Sequence, residues 1–255
     1  MKGNFVLSGG GARGYAHLGV MKALQEWGIQ PKAISGVSAG AVFAAFICDG
    51  FQIQEIEEIF LSHKIRKQLN FHGFKNGFLT LRDLENLMRK NLRTKKIESL
   101  KIPLHITVSD LEIGEEKIFS EGELVPTILA SCAVPGVFPP QKIDGRYYAD
   151  GGINCNFPTK VFEGNELPLI GISVNPPFSY EAKNGWLLNL DRTLNIMLRQ
   201  MAQDNMKKCH IIIEPPFLKS YHVFQIEKRK EIMEKSYTFM LENYKRENLI
   251  SLFPC

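Results

Sequence analysis

Ala33-Ile34-Ser35-Gly36-Val37-Ser38-Ala39-Gly40-Ala41-Val42 is the stretch that decides how this chain folds. Ala33-Ile34-Ser35 reads as a short strand, and Ala39 to Asp49 as an apolar, Ala-rich helix. Gly36-Val37-Ser38-Ala39-Gly40 joins them and satisfies G-x-S-x-G. Such a pentapeptide sets a serine on a sharp strand-to-helix turn, in strained backbone geometry. Neighbouring chain comes so close there that side chains at the flanking positions clash, and Gly36 and Gly40 remove the clash. The helix that follows aims its free N–H groups and its positive dipole end at charge developing near Ser38. A Gly-rich turn without chemistry is the alternative, and the strand and helix on either side weigh against it.

Upstream, Phe5-Val6-Leu7-Ser8 reads as a first strand running into Gly9-Gly10-Gly11-Ala12-Arg13-Gly14, with a helix from Val20 to Trp27. Gly9, Gly11 and Gly14 fit G-x-G-x-x-G, so a dinucleotide site has to be weighed. That site demands an acidic residue about 20 residues on, ending the second strand and holding a ribose. Ala33-Ile34-Ser35-Gly36 supplies none. The same glycines let backbone N–H groups converge on one point, which suits the oxyanion formed when Ser38 attacks a carbonyl. Arg13 either adds a positive charge beside it or forms a surface salt bridge.

A serine hydroxyl needs a partner to take its proton. The six histidines are His17, His63, His72, His105, His210 and His222. A Ser-Asp-His order would require His210 or His222, and neither has a signature around it. Tyr148-Ala149-Asp150-Gly151-Gly152 is the better candidate. Asp-Gly-Gly alone is an ordinary turn, and an unperturbed aspartate, with a pKa near ~3.9, is a weak base at neutral pH. Direct transfer from Ser38 to Asp150 needs close geometry, desolvation and an oxyanion hole.

The remaining strand candidates are Leu104 to Val108, Leu169 to Val174 and Ile211 to Ile213. Strands separated by helical patterns imply a parallel sheet with helices on both faces. Thr80-Leu81-Arg82-Asp83 resembles a capping box ahead of an apolar stripe at Leu84, Leu87, Met88 and Leu92. Leu190, Leu194, Met197, Leu198 and Met201 form a second stripe, read as core or as the lining of an acyl groove. Met233, Met240, Leu241 and Tyr244 suggest a C-terminal helix.

With 255 residues, 44% of them hydrophobic, the chain suits one large domain with a real core. A net charge of +4 is too mild to argue for nucleic acid, and no nucleic-acid partner is expected. The five cysteines form no CxxC, so a reduced, cytoplasmic setting is expected. No run approaches the ~18 apolar residues of a membrane span, and glycines follow the first strand where a secretory leader would continue its apolar core.

Together these pieces resemble the patatin-like phospholipase family. In that family a glycine-rich oxyanion loop, a G-x-S-x-G serine and a D-G-G/A aspartate occur in this order. Here they are Gly9–Gly14, Gly36–Gly40 and Asp150–Gly152. Ala130-Ser131-Cys132-Ala133-Val134-Pro135-Gly136, continuing to Phe138-Pro139-Pro140, matches a further block. Asn156 and Pro158 match the tail of the aspartate motif, and Val108-Ser109-Asp110-Leu111 with Gly114 looks like another family segment. The resemblance covers about residues 4 to 175, with a helical part, 176 to 255, alike only in general character; residues 1–255 are expected to form one domain.

The resemblance implies a three-layer α/β/α fold with a central, mainly parallel sheet. It implies acyl-ester hydrolysis by a Ser38–Asp150 dyad through an acyl-enzyme, with no cofactor and no metal. The oxyanion hole would draw on Gly9, Gly10, Gly11, Arg13 and Gly14. Gly36 and Gly40 would shape the elbow, and Gly151 and Gly152 would support the aspartate. Phospholipids, lysophospholipids, acylglycerols and simple esters are the substrates such proteins take. Two rivals stay open: acyl transfer from the same acyl-enzyme, and a non-catalytic lipid-binding role.

Basic clusters at Lys64-Ile65-Arg66-Lys67, Arg93-Thr94-Lys95-Lys96 and Lys228-Arg229-Lys230 are either solvated helix faces or a dock for an anionic bilayer. Peripheral contact with the inner face of a membrane is therefore one expectation. Phe71, Phe74 and Phe78 form either an apolar lid or a packed loop.

Overall fold

A computed structural model of the protein describes residues 1–63, 80–177 and 186–253. The first basic cluster, His72, the phenylalanines at 71, 74 and 78, and Cys255 lie outside the described residues. The strands are β1 (Lys2–Leu7), β2 (Gln30–Val37), β3 (Leu104–Asp110), β4 (Glu115–Phe119), β5 (Gln141–Ile143), β6 (Arg146–Asp150), β7 (Leu169–Ile172) and β8 (Ile211–Ile213). They form one sheet in the order β5-β6-β3-β2-β1-β7-β8, with β4 also paired to β3. β8, β7, β1, β2 and β3 run parallel. The pairs β3–β4, β3–β6 and β5–β6 are antiparallel.

The helices are α1 (Ala16–Glu26), α2 (Ala39–Cys48), α3 (Ile53–Ser62), α4 (Arg82–Asn91), α5 (Leu124–Ser131), α6 (Trp186–Gln200), α7 (Gln203–Met206), α8 (Arg229–Asn243) and α9 (Arg246–Ile250). The chain steps one way across the sheet from β1 to β3 and the other way from β7 to β8. Right-handed crossovers then carry α1 and α2 to one face and α6 and α7 to the other. The two cores agree. Phe5 and Leu7 of β1 join a large cluster built with α1 to α5 and α8. Val6, between them, points to a smaller cluster with Phe157, Phe162, Leu169 and Ala202. Each fully buried Phe or Leu contributes about 1.5–3 kcal/mol. The expected mainly parallel sheet between helices is present.

Two local expectations fail. The capping box at Thr80 does not form, because α4 starts at Arg82 with Leu81 as its N-cap; the Thr80 hydroxyl accepts the Arg82 N–H, at 3.1 Å. A capping box closes α3 instead, where the Gln52 N–H donates to Glu55 at 2.7 Å. Among the described side chains of α6 the buried positions are Asp191, Asn195 and Leu198, followed by Ala202, while Met201 is exposed. This helix turns a partly polar face inward, a fact of consequence for the site.

Candidate active site

Ser38 and Asp150 meet along one edge of β3. Residues 106 and 107 of β3 pair with both β2 and β4, and residues 108 to 110 with both β6 and β4. β2 and β6 therefore share the edge opposite β4. β2 runs up that edge and ends with Val37 beside Thr107. β6 runs down it and ends with Asp150 beside Val108. The two chains come head to head, with Ser38 and Asp150 at the junction.

The backbone at Ser38 has φ 52° and ψ −124°, in the left-handed region that L-residues avoid. Such a conformation costs of order 1–3 kcal/mol and survives only where its surroundings enforce it. Ser131 enforces it: its hydroxyl accepts the Ser38 N–H at 2.8 Å and donates to the Thr107 carbonyl at 2.7 Å. Gly40 lets α2 start against β1, since a Cβ there would lie 2.2 Å from the Leu7 carbonyl oxygen. Gly36 lies against Ala41, and Gly14 against Ala39.

The glycine loop follows β1 and opens a 3-10 turn, Gly11–Tyr15. The N–H groups of Gly10 and Gly11 stand at the start of that turn, where helical geometry provides no acceptor. Gly11 has φ 56°, and a Cβ on it would lie 2.3 Å from the Val223 carbonyl oxygen. The Gly9 peptide is held from both sides. Its N–H donates to Asn156 Oδ1 at 3.1 Å, and its carbonyl accepts from Asn175 Nδ2 at 2.6 Å. Gly9 also lies against Ser38, whose Cβ would be 3.2 Å from a Cβ at position 9.

Arg13 forms no surface salt bridge. It is fully buried, and its Nη2 donates to Asn175 Oδ1 at 2.8 Å and to Asn195 Oδ1. Burial draws its pKa down to about 10 against the opposing pull of Asp191.

Asp150 is 4% exposed. Its carboxylate accepts the Gly152 N–H at 2.8 Å, and the nearby Ser38 hydroxyl also favours its ionised form. Burial raises its pKa to about 6, and the Ser38 hydroxyl and the Gly152 N–H oppose the rise. Both following glycines are crowded: Gly151 by the Thr107 carbonyl, Gly152 by Leu198 of α6. The Cys132 thiol also lies near Ser38, but burial and the charge of Asp150 push its pKa up. It stays a thiol, which is a poor nucleophile.

Three of the described histidines are engaged elsewhere. His17 Nε2 meets the Ser8 carbonyl at 2.9 Å, and burial lowers its pKa to about 4. His105 pairs with Ser120 at 2.7 Å, and His210 accepts the Leu169 N–H at 3.0 Å. The two described basic clusters are largely paired within the chain. Arg93 lies over the Phe51 ring and beside Glu55, Lys96 beside Glu98, Lys228 beside Glu231, and Lys230 beside Glu234. Arg229 donates to the carbonyls of Leu61 and His63. Among the described residues no helix is long and apolar enough to cross a membrane.

Sequence reasoning passed over Ser131, Asn175, Asp191 and Asn195. Asn175 carried a usable signal, being the first amide beyond a buried strand, on the side of a parallel sheet where ligands bind. Asp191 and Asn195 stand four apart, one turn of one helix face, beside the apolar stripe that drew attention away from them.

A serine elbow at the C-terminal end of a parallel strand, beside a glycine loop, is an arrangement of α/β proteins built around a nucleophilic serine. Residues 5–163 match the patatin-like phospholipase family, and the chain belongs to that family. An uncharacterised NTE-family protein of Mycobacterium tuberculosis is 35% identical over 173 residues, 66% of this chain and 48% of that protein. Neuropathy target esterase of Drosophila melanogaster is 31% identical over 164 residues, 61% of this chain and 12% of that protein. The chain thus aligns with about half, or much less, of these relatives' length. The fold is also that of VipD from Legionella pneumophila, with a TM-score of 0.59 at 16% identity, over 94% of this chain and 66% of that one.

Proposed function

We propose that the protein is a serine acyl-ester hydrolase acting on lipids: phospholipids, lysophospholipids or acylglycerols. Residues 1–255 act as one catalytic unit. The observation that carries the reading is the meeting of β2 and β6 on β3, which sets Ser38 beside the buried Asp150 carboxylate.

Ser38 Oγ attacks the ester carbonyl carbon as its proton passes to Asp150. The carbonyl oxygen becomes an oxyanion, stabilised by the N–H groups of Gly10 and Gly11 and by the N-terminus of α2. Collapse expels the alcohol, which takes the proton from Asp150 and leaves an acyl-Ser38 ester. Water then gives a proton to Asp150 and attacks that ester. The second oxyanion collapses to the free fatty acid, and Ser38 recovers its proton from Asp150. An aspartate with a pKa near 6 suits this work better than an ordinary one, because it is ionised at neutral pH yet closer in basicity to the proton it must accept.

The test uses p-nitrophenyl esters of graded chain length, then lysophospholipid and phospholipid vesicles with and without anionic lipid. Wild type should release fatty acid, and Ser38→Ala and Asp150→Asn should lower kcat by about 1,000-fold or more, as loss of one member of a coupled nucleophile–base unit does. Near-wild-type turnover in Asp150→Asn would remove the dyad. A covalent fluorophosphonate adduct on a residue other than Ser38 would remove the nucleophile. Faster hydrolysis on anionic vesicles, falling with salt, would support contact with a membrane surface.

A further inference from the structure

The oxyanion loop is held by residues that come largely from outside the part of the chain matching the family, which ends at residue 163. Asn175 donates to the Gly9 carbonyl at 2.6 Å. Arg13 donates to Asn175 and to Asn195 of α6. Asn195 in turn donates to Asp191, at 2.7 Å to its carbonyl and 2.9 Å to its carboxylate. The other carboxylate oxygen of Asp191 accepts the Val223 N–H at 2.7 Å, and the Val223 carbonyl accepts the Ala12 N–H at 2.7 Å. The chain of contacts leaves the loop at Gly9, passes through α6, and returns to the loop at Ala12. Arg199, also on α6, donates to the Asn175 carbonyl at 2.9 Å.

The chemistry of this circuit has one direction. A guanidinium can only donate, so Asn175 and Asn195 must both turn their amide oxygens toward Arg13. The amide NH2 of Asn175 is thereby left facing the Gly9 carbonyl. All four side chains are buried, where an unpaired polar group costs about 1–3 kcal/mol, so the alternative amide orientation is closed. The carboxylate of Asp191 offsets the buried charge of Arg13, which can then serve as a fixed two-way donor.

We propose that Asn175, oriented by Arg13, Asn195 and Asp191, is a positioning residue that sets the Gly9 peptide and so aims the N–H groups of Gly10 and Gly11. In this assignment α6 is part of the catalytic apparatus although its residues touch no substrate. It rests on the proposed hydrolase reading, in which those N–H groups receive the oxyanion. Arg13 then acts through geometry rather than as a free charge beside the oxyanion.

Asn175→Asp tests this closely. Aspartate keeps the size of the side chain and an acceptor for Arg13, but it cannot donate to the Gly9 carbonyl and sets a negative oxygen against it. Expected is a fall in kcat of about 10- to 100-fold on a p-nitrophenyl ester, the scale of an oxyanion donor moved out of place. KM should stay near wild type, Tm should fall only by the few degrees that one unpaired buried carbonyl costs, and end-point titration with a fluorophosphonate should still count one reactive Ser38 per chain. Unchanged kcat, or a loss confined to Tm, overturns the assignment. If Asn175→Asp does not fold, Asn195→Ser carries the same reading from the α6 end, with a smaller fall in kcat. Failure of both variants to fold would make these residues structural and overturn a positioning role. The two readings separate cleanly. Loss of hydrolysis in Ser38→Ala with full activity in folded Asn175→Asp removes this inference alone. A wild type without esterase activity removes the hydrolase reading and this inference with it.

Discussion

The Ser131 hydroxyl bridges the Ser38 N–H and the Thr107 carbonyl, and so ties the backbone of the elbow to the strand that also positions Asp150. Both serines are buried, and a hydroxyl both donates and accepts strongly through a single atom. Ser131→Ala leaves a buried N–H and a buried carbonyl without this partner. The expected loss of stability is about 1–3 kcal/mol. The φ of 52° at Ser38 also loses a restraint, so kcat should fall while KM holds. Urea unfolding and steady-state kinetics on one ester check both. A variant with wild-type kcat would show that the elbow keeps its shape without this bridge.

The pH dependence of turnover should report Asp150. The ionised carboxylate is the working form, and burial holds its pKa near 6. The rate should therefore rise through pH 6 and level off above it. An ordinary aspartate would place that rise near pH ~4. His17 cannot imitate the profile, because its own pKa is lowered to about 4. Measurement of kcat/KM between pH 4.5 and 8 decides the matter. A flat profile over that range would exclude Asp150 as the proton acceptor.

The same shift makes a prediction about stability. A carboxyl whose pKa is raised by folding holds its proton more tightly in the folded chain than in the unfolded one. Its contribution is absent below the unfolded pKa of ~3.9, and becomes a destabilisation as pH rises through the folded pKa near 6. Asp150→Asn removes the charge and keeps the shape, with an amide oxygen still able to accept the Gly152 N–H. It should stabilise the protein by of order 1–3 kcal/mol at pH 7.5 and hardly at all at pH 4. A variant that is more stable and inactive would mark Asp150 as a residue kept for chemistry at a cost in stability. Equal urea midpoints for the two proteins at pH 7.5 would contradict it.

Legibility followed the range of the interactions. The strands at Phe5, Ala33, Leu104, Leu169 and Ile211 were readable, because local periodicity and flanking glycines mark them. The elbow was readable because G-x-S-x-G between a strand and a helix is a local pattern. The pairing of Ser38 with Asp150 was expected from the motifs, but the route that joins them was not readable, since it depends on antiparallel β6 sharing an edge of β3 with β2, over 100 residues distant in sequence. Asp150 in isolation looked like a turn because the short strand ahead of it has no strong alternation. Arg13 was legible as a charge near the loop, but its partners Asn175 and Asn195 lie 162 and 182 residues away. In α6 the apolar stripe suggested a burial direction that the polar pair Asp191 and Asn195 overrode.

Gly40 offers the sharpest test of how closely α2 must approach β1. A Cβ there would meet the Leu7 carbonyl oxygen at 2.2 Å and the Ser8 carbonyl oxygen at 2.7 Å, both backbone atoms where β1 ends and the glycine loop begins. Neither can move without disturbing the loop itself. Gly40→Ala should therefore cost at least about 1–3 kcal/mol, the range for overpacking a close-fitting site. It should also lower kcat, because relief requires Ser38 and the loop to separate. Gly164→Ala is the matched control: its φ of 77° strains any side chain, but a Cβ would meet nothing within 4 Å. That variant should lose about 1–2 kcal/mol from backbone strain alone and keep wild-type kcat. Thermal unfolding and kcat measured on both variants separate the two effects. If Gly40→Ala behaves like Gly164→Ala, with stability lost and turnover intact, the approach of α2 to β1 does not set the geometry of the site.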